Sequence, residues 1–346
     1  MHPQAGGAEV RIHEIGKRLV QSGCSVKLIC ERWVGSKSVD FLDGVEIVRV
    51  AGRYGIHLKV PLLLNRVDGY DVVVDDIAHA VPWFSPLFTR KSVVGQVHHV
   101  HQEVLNLELL PFLARLVALS ESTIRYLYKV LIVVSESTKR ELISRFDVSE
   151  DRIKVVPNGV DLEVYGPMRK GSEPTVLWVG RVKRYKRVDH VLSAFRLVKK
   201  SFPDAKLFIV GDGNYLEVLK RISGRLGLSN VVFTGRVREE EKVRLMGSSW
   251  IIVSASLVEG WGMTIIEGAA CATPAVAYDV AGLRDSVRDG VTGLLVEDGN
   301  VRALAEAVIR VLENEELRLR LGKNALEYAR GFGWDRSAEE FLKVLK

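Results

Sequence analysis

Two carboxylates and a cationic turn hold most of the chemistry this sequence offers. Glu259 and Glu267 stand close in the chain, with Gly260 and Gly262 just after the first. Upstream lies the run Gly180-Arg181-Val182-Lys183-Arg184-Tyr185-Lys186-Arg187. Carboxylates accept hydrogen bonds from sugar hydroxyls, and fixed cations hold phosphates. Together they suit a ligand that carries both. Two further clusters could do chemistry: the adjacent acids Asp75-Asp76, and the run His98-His99-Val100-His101.

These groups need elements to position them. The apolar run Trp250-Ile251-Ile252-Val253 reads as a buried strand, and Glu259 to Gly262 as a loop. Residues 263–271 read as a short helix that Pro274 brings to an end. The first amides of such a helix, around Gly262, Met263 and Thr264, lack partners inside it and attract an anion. Glu267 lies roughly 6 Å further along the axis, where it can accept from a diol such as a ribose. The cationic run likewise leaves a predicted strand, 175–179, at the end where ligands bind in α/β sheets.

The chain has 346 residues, enough for about two domains, and is 47% hydrophobic and 27% charged. Its net charge of +6 is spread along the chain with no basic tail, which does not indicate nucleic-acid binding. A mild positive potential suits a nucleotide-linked substrate or an anionic lipid surface. Cys24, Cys30 and Cys271 lack metal spacing and read as free thiols of a reducing compartment. No apolar run is long enough to span a membrane, and no signal peptide is visible.

In the N-terminal half, Gly6-Gly7 precedes a helix whose Val10, Ile12, Ile15, Leu19 and Val20 share a face. Strands are expected at 25–30, 45–50, 70–74, 92–97 and 130–134. Asp75-Asp76 reads as a solvated cap or turn. His98 and His99 point to opposite faces of a regular strand, which argues against a zinc site. The aromatic stretch 80–88 reads as core or as a greasy acceptor-side surface. Residues 104–129 read as helix interrupted near Pro111. Their wide apolar arc is read as core, with a lipid-touching surface as the rival. Pro157-Asn158-Gly159 marks a break between two α/β halves.

Several strings together resemble the retaining glycosyltransferases of family 4, which have the GT-B fold. The most specific is Glu-x7-Glu over Glu259 and Glu267, headed by Glu-Gly-aromatic-Gly and followed by Ala-Cys-x-x-Pro. The others are Gly180-Arg181-x4-Lys186, Pro157-Asn158-Gly159-Val160-Asp161 and Gly6-Gly7-Ala8-Glu9. Gly268 and Ala272 replace the usual Ala and Gly, and Ala255 stands where Pro is common.

The resemblance implies an α/β chain of two Rossmann-like domains facing a cleft. The acceptor-side domain would be 1–160 and the donor domain 161–330, with helix 331–346 returning to the first domain. The family has a strand ahead of the Gly-Gly loop and this sequence has five residues there, so the N-terminal domain is expected to lack its first strand, or the start to lie upstream. By the resemblance, Arg181 and Lys186 grip the donor diphosphate, Glu259 and His98 position the sugar, and Glu267 takes the ribose. His99 remains the alternative to His98. Gly6, Gly7, Gly262, Met263 and Thr264 would lie by the phosphates, and Arg236 and Val237 by the nucleobase.

The implied reaction is retaining transfer of a hexosyl group from a UDP- or GDP-sugar to a glycan or lipid-linked hydroxyl. No metal or other cofactor is expected, the sugar nucleotide being a substrate. The expected setting is cytoplasmic, with peripheral contact at the inner membrane face through the N-terminal domain. The alternative is a nucleotide-sugar-binding partner subunit without catalysis. An NAD-dependent oxidoreductase would need Gly-x-Gly-x-x-Gly after a strand, and that pattern is absent.

Overall fold

A computed structural model describes residues 6–52, 55–64 and 69–346. The stretch ahead of Gly6, where the sequence predicts no strand, lies outside them. The chain forms two compact units, Met1–Gly159 with Trp334–Lys346, and Val160–Gly333.

The first unit runs α1 (Gly7–Gln21), β1 (Lys27–Glu31), β2 (Val39–Leu42), β3 (Val45–Ala51), α2 (Ile56–Leu64), β4 (Val72–Ile77), β5 (Ser92–Val97), α3 (Gln102–Glu108), α4 (Pro111–Ser122), α5 (Ile124–Leu127), β6 (Val130–Val133), α6 (Glu136–Phe146) and β7 (Ile153–Val155). The second runs β8 (Thr175–Val179), α7 (Val188–Ser201), β9 (Lys206–Val210), α8 (Leu216–Arg225), β10 (Val231–Gly235), α9 (Glu239–Ser248), β11 (Ile251–Ser254), α10 (Met263–Ala270), β12 (Ala275–Tyr278), α11 (Leu283–Ser286), β13 (Gly293–Val296), α12 (Val301–Glu313) and α13 (Glu315–Ala329). Helix α14 (Trp334–Leu345) belongs to the first unit and packs on α1.

The strands of the first unit form two sheets, β1-β3-β2 and the all-parallel β4-β5-β6-β7. The core of the second sheet is Ile77, Val97, Leu131, Val133 and Ile153 under Ile124, Tyr128, Leu142 and Phe146. β6 is a continuous apolar run because both of its faces are covered.

Two expectations for this unit need correction. Asp75 and Asp76 do not form a solvated turn; they lie inside β4. Asp75 is 3% exposed, accepting from the Ser85 hydroxyl (2.5 Å), the Ser85 amide (3.3 Å) and the Tyr128 hydroxyl (2.7 Å). Burial raises its pKa despite these bonds. The second concerns α4. Pro111 does start a new helix, in the position where its missing N–H costs nothing. Its apolar arc, however, is largely uncovered: Leu110, Phe112, Leu113, Leu116 and Leu119 are all exposed. Only Ala114 and Glu121 of α4 are buried.

The second unit is a six-stranded parallel sheet in the order β10-β9-β8-β11-β12-β13. Counting β8 as first, this is the 3-2-1-4-5-6 order of a doubly wound dinucleotide-binding sheet. Strands β8, β11 and β12 are buried at nearly every position, as helices on both faces require. The second unit is thus Rossmann-like, and the parallel β4-β5-β6-β7 sheet of the first alternates strands and helices on the same α/β plan.

Candidate functional site

A doubly wound sheet has one place where successive strands depart to opposite sides, and the crevice there receives ligands. In the second unit that place lies between β8 and β11, paired through Ile251 with Val176 and Ile252 with Leu177. The cationic turn leaves the carboxyl end of β8; the glycine loop leaves that of β11. The two loops are stitched together. The Leu257 amide donates to the Tyr185 carbonyl at 2.8 Å, and Lys186 Nζ donates to Glu259 Oε1 at 2.5 Å. Ser256 Oγ donates to the same carboxylate oxygen at 2.8 Å.

This arrangement sets the charge state of the site. Burial works against the Lys186 ammonium, but Glu259 and Tyr185 together outweigh it and the pKa is raised. Lys186 therefore stays cationic. Arg181 is exposed beside it and pushes in the opposite direction. The turn closes on Arg187, a non-glycine residue with φ of 47°, whose guanidinium is paired with Asp298 at 2.5 Å. Left-handed backbone at such a residue is sterically costly and gathers at binding sites.

Helix α10 begins at Gly262, whose φ is 79°. A Cβ there would lie 2.6 Å from Ser286 Oγ, so only glycine lets the chain turn into the helix at this point. Met263 and Thr264 follow as its first residues, half-buried. Gly262 brings no side chain to cap this helix start, whose first amides therefore suit an anion.

Glu267 sits one turn inside α10, buried. Its Oε1 accepts from Lys242 Nζ at 3.2 Å, while its buried Oε2 has no close hydrogen-bond partner among the described residues, the Tyr165 hydroxyl lying near the carboxylate. Burial raises its pKa beyond what Lys242 can offset. Lys242 is shared with Glu239 at 3.0 Å and lies 5.2 Å over the Tyr165 ring. The Tyr165 hydroxyl donates to Glu239. An ionisable oxygen that is desolvated and unpartnered suits a donor from a ligand. Sequence reasoning missed Lys242, Tyr165 and Ser256. Lys242 lies on α9 beside three glutamates, and nothing local reveals that it reaches Glu267. Arg236, exposed, and Val237, half-buried, follow β10 at the same end of the sheet.

In the first unit, Gly6 precedes α1 and Gly7 opens it; the Gly6 amide donates to Glu9 Oε2 at 2.8 Å. His98 follows β5 and is 9% exposed. Its Nε2 lies 2.7 Å from Asp76 Oδ1. His99 turns elsewhere: its Nδ1 lies 3.2 Å from the Val100 carbonyl and its ring packs 3.9 Å from that of His101. His101 is tied to Glu121 by its backbone amide (2.8 Å) and its Nδ1 (3.0 Å). His98 is thus set apart on Asp76, while His99 and His101 pack ring to ring.

Comparison with known proteins gives a consistent picture. The family model for glycosyl transferases group 1 matches residues 167–328, and that for glycosyltransferase family 4 matches residues 5–164. A D-inositol 3-phosphate glycosyltransferase of Nocardioides sp. (strain ATCC BAA-499 / JS614) is 28% identical, across 99% of this chain and 85% of that protein. Among solved structures, sucrose-phosphate synthase from Thermosynechococcus elongatus superposes with a TM-score of 0.84 at 22% identity, over 98% of this chain and 93% of that one. Anabaena HepE in complex with UDP-glucose superposes with a TM-score of 0.79 at 19% identity, over 99% and 96%.

Proposed function

The chain belongs to the GT-B glycosyltransferases of group 1 and family 4, and from that premise we propose that it moves a hexosyl group from a UDP- or GDP-linked sugar to a glycan or lipid-linked hydroxyl, with retention at the anomeric carbon. The observation that carries this reading is the Lys186–Glu259 contact, which joins the cationic turn to the head of α10 at the switch point of the sheet. A diphosphate bound at this switch point would have Arg181 and Lys186 on one side and the amides of Gly262, Met263 and Thr264 on the other. Glu259 then stands where the sugar would begin. The unpartnered Oε2 of Glu267 suits a ribose hydroxyl. The solved complex of HepE with UDP-glucose supports a sugar nucleotide as donor.

In the reaction the bond from the anomeric carbon to the diphosphate oxygen breaks and its electron pair leaves with the nucleotide. The acceptor oxygen bonds to the same face, and its proton passes to the departing diphosphate. Charge therefore grows on the diphosphate in the transition state, where Arg181, Lys186 and the helix amides stabilise it. Glu259 would orient the sugar, and Arg236 and Val237 would meet the base. Incubation with UDP- and GDP-sugars, with and without acceptor, tests the reading through released nucleotide. Binding without turnover on any acceptor would mark a non-catalytic partner subunit instead.

The acceptor side of this reading includes an anionic lipid surface. Helices α2 and α4 expose Leu58, Leu62, Leu110, Phe112, Leu113, Leu116 and Leu119. The exposed charges of the two helices are Lys59 and Arg115, with Glu108 exposed just ahead of Leu110. Apolar side chains with cations among them match an anionic interface. No helix among the described residues is long and apolar enough to cross a membrane, so contact would be peripheral. Co-sedimentation with phosphatidylglycerol vesicles should fall at least fivefold in Phe112→Ser/Leu116→Ser; equal binding by variant and wild type would refute the assignment.

A further inference from the structure

Glu267 has one oxygen held by the protein and one without a close partner. Lys242 Nζ, on α9, donates to Oε1 at 3.2 Å and is paired with Glu239 at 3.0 Å. Glu239 lies three residues before Lys242 and its side chain is 55% exposed, so that pair alone would form at the surface. The Lys242 side chain nonetheless turns inward, to 20% exposure, and reaches a carboxylate that is 12% exposed. Tyr165, 5% exposed, completes the group: its ring lies 5.2 Å from the ammonium and its hydroxyl donates to Glu239. All four side chains belong to the second unit, from the segment ahead of β8, from α9 and from α10.

Two carboxylates thus share one ammonium. Burial works against the Lys242 charge, but Glu267 and Glu239 outweigh it and the pKa is raised, so Lys242 stays cationic. Burial also raises the Glu267 carboxyl; Lys242 opposes that rise and Glu239 adds to it. The other titratable groups that face Glu267 are the Tyr165 phenol and the Cys271 thiol. Lys170 lies beyond Cys271, bonded to its carbonyl at 3.2 Å. Neither a phenol nor a thiol supplies the positive charge that Lys242 brings. With Oε1 held by a donor, a proton taken up by this carboxyl would sit on Oε2 and turn the open acceptor into a donor.

We propose that Lys242 is a positioning residue for the donor nucleotide: by holding Oε1 of Glu267 it keeps Oε2 a bare acceptor for the ribose hydroxyls. This rests on the reading above that Glu267 meets the ribose. The hold of Lys242 on Glu267 does not depend on that reading, so the two can fail separately. The consequence is selectivity. A site built to accept from a hydroxyl rejects the analogue that lacks it. Lys242 therefore governs the preference for a ribose over a deoxyribose, whereas a lysine that only braced the fold would affect both alike.

The test is calorimetry on the full chain with UDP, GDP and their 2′- and 3′-deoxy counterparts, beside a ¹³C NMR titration of the Glu267 carboxyl, assigned by its loss in Glu267→Gln. The wild type at neutral pH should prefer the ribonucleotide at least about tenfold over one deoxy counterpart. Lys242→Met should cut that preference to within about threefold and raise the Glu267 titration midpoint by about one pH unit or more. Its preference should recover as pH rises above the new midpoint, where Glu267 is again an anion. Lys242→Arg should keep the midpoint low; Lys242→Gln, which keeps a donor without charge, should raise it and serves if Lys242→Met does not fold. An unmoved midpoint in the neutral variants, or equal weakening of ribo- and deoxynucleotides, would overturn the proposal. A wild type that binds both kinds equally, with the midpoint still raised in Lys242→Met, would overturn the ribose reading of Glu267 and with it the role of Lys242 toward the nucleotide.

Discussion

Replacing Lys186 with alanine removes the group on which the two loops of the donor site converge. In the wild type its ammonium lies 2.5 Å from Glu259, with the two side chains 14% and 20% exposed. At an effective dielectric of about 20 the gross attraction at that separation is roughly 6–7 kcal/mol. Most of it offsets desolvation, so the stability lost in Lys186→Ala should be only about 1–3 kcal/mol. The catalytic loss should be larger. One preorganised partner for developing charge is worth about 3–4 kcal/mol, so kcat/KM should fall roughly 100- to 1,000-fold. A double-mutant cycle separates the two effects. In a Glu259→Gln background, Lys186→Ala should cost little stability, because the ion pair is already gone. Its turnover penalty should persist there, because the diphosphate still lacks its cation. The assay is released nucleotide with saturating acceptor, beside thermal unfolding of the four proteins. A kcat/KM within twofold of wild type, or a loss that vanishes in the Glu259→Gln background, would refute the placement of Lys186 against the diphosphate.

Other outcomes follow from the same geometry. Glu259→Gln removes the anion that competes for Lys186, so the product nucleoside diphosphate should bind about tenfold tighter by calorimetry while turnover falls; weaker binding would contradict that competition. Glu267→Ala deletes the unpartnered buried acceptor and should weaken nucleotide binding by about 10- to 100-fold, at 1.5–3 kcal/mol for a bond to a charged group; unchanged affinity would remove Glu267 from the ribose site. Glu121 and His101 should oppose each other in pH-dependent stability. Burial raises the Glu121 carboxyl to about 7, so its contribution to stability falls as pH rises from about 4.5 to 7. Burial lowers His101 to about 4, so its contribution falls as pH drops from about 6.5 to 4. Each is worth at most about 3.5 kcal/mol at about 1.4 kcal/mol per pH unit, and in the wild type they nearly cancel. Glu121→Gln should therefore lose stability below pH 6.5, and His101→Asn should gain it as pH falls below 7; urea midpoints that keep a flat profile in both variants would contradict the coupling.

Much of the donor half is legible in the chain itself. Strand, glycine turn and helix alternate there with apolar runs that leave little choice of element, and β8, β11 and α10 lie where the periodicity puts them. The interruption at Pro111 is legible for the same reason. Less was visible in the first half. β2 and α2 carry no clear local signal, and α2 even contains Pro61. Asp75-Asp76 looked like a turn because adjacent acids usually are one; Ser85 and Tyr128, which bury Asp75, arrive from 10 and 53 residues away. The apolar face of α4 was equally plain from sequence. Whether another element covers it is a question of packing, and the answer reversed the expectation.

The sequence alone determined most of the elements, those of the donor half above all, and which residue types stand at their ends. Both follow from hydrophobic period, glycine and proline, which act within a few positions of one another. Tertiary structure decided the partners. Lys186 meets Glu259 across 73 residues, Lys242 meets Glu267 across 25, and Arg11 meets Gln96 across 85. Such pairings arise from the order in which strands join the sheet, and a side chain's charge state, tautomer and exposure depend on them. Local pattern placed His98 at the end of its strand; only the folded sheet set Asp76 against its ring.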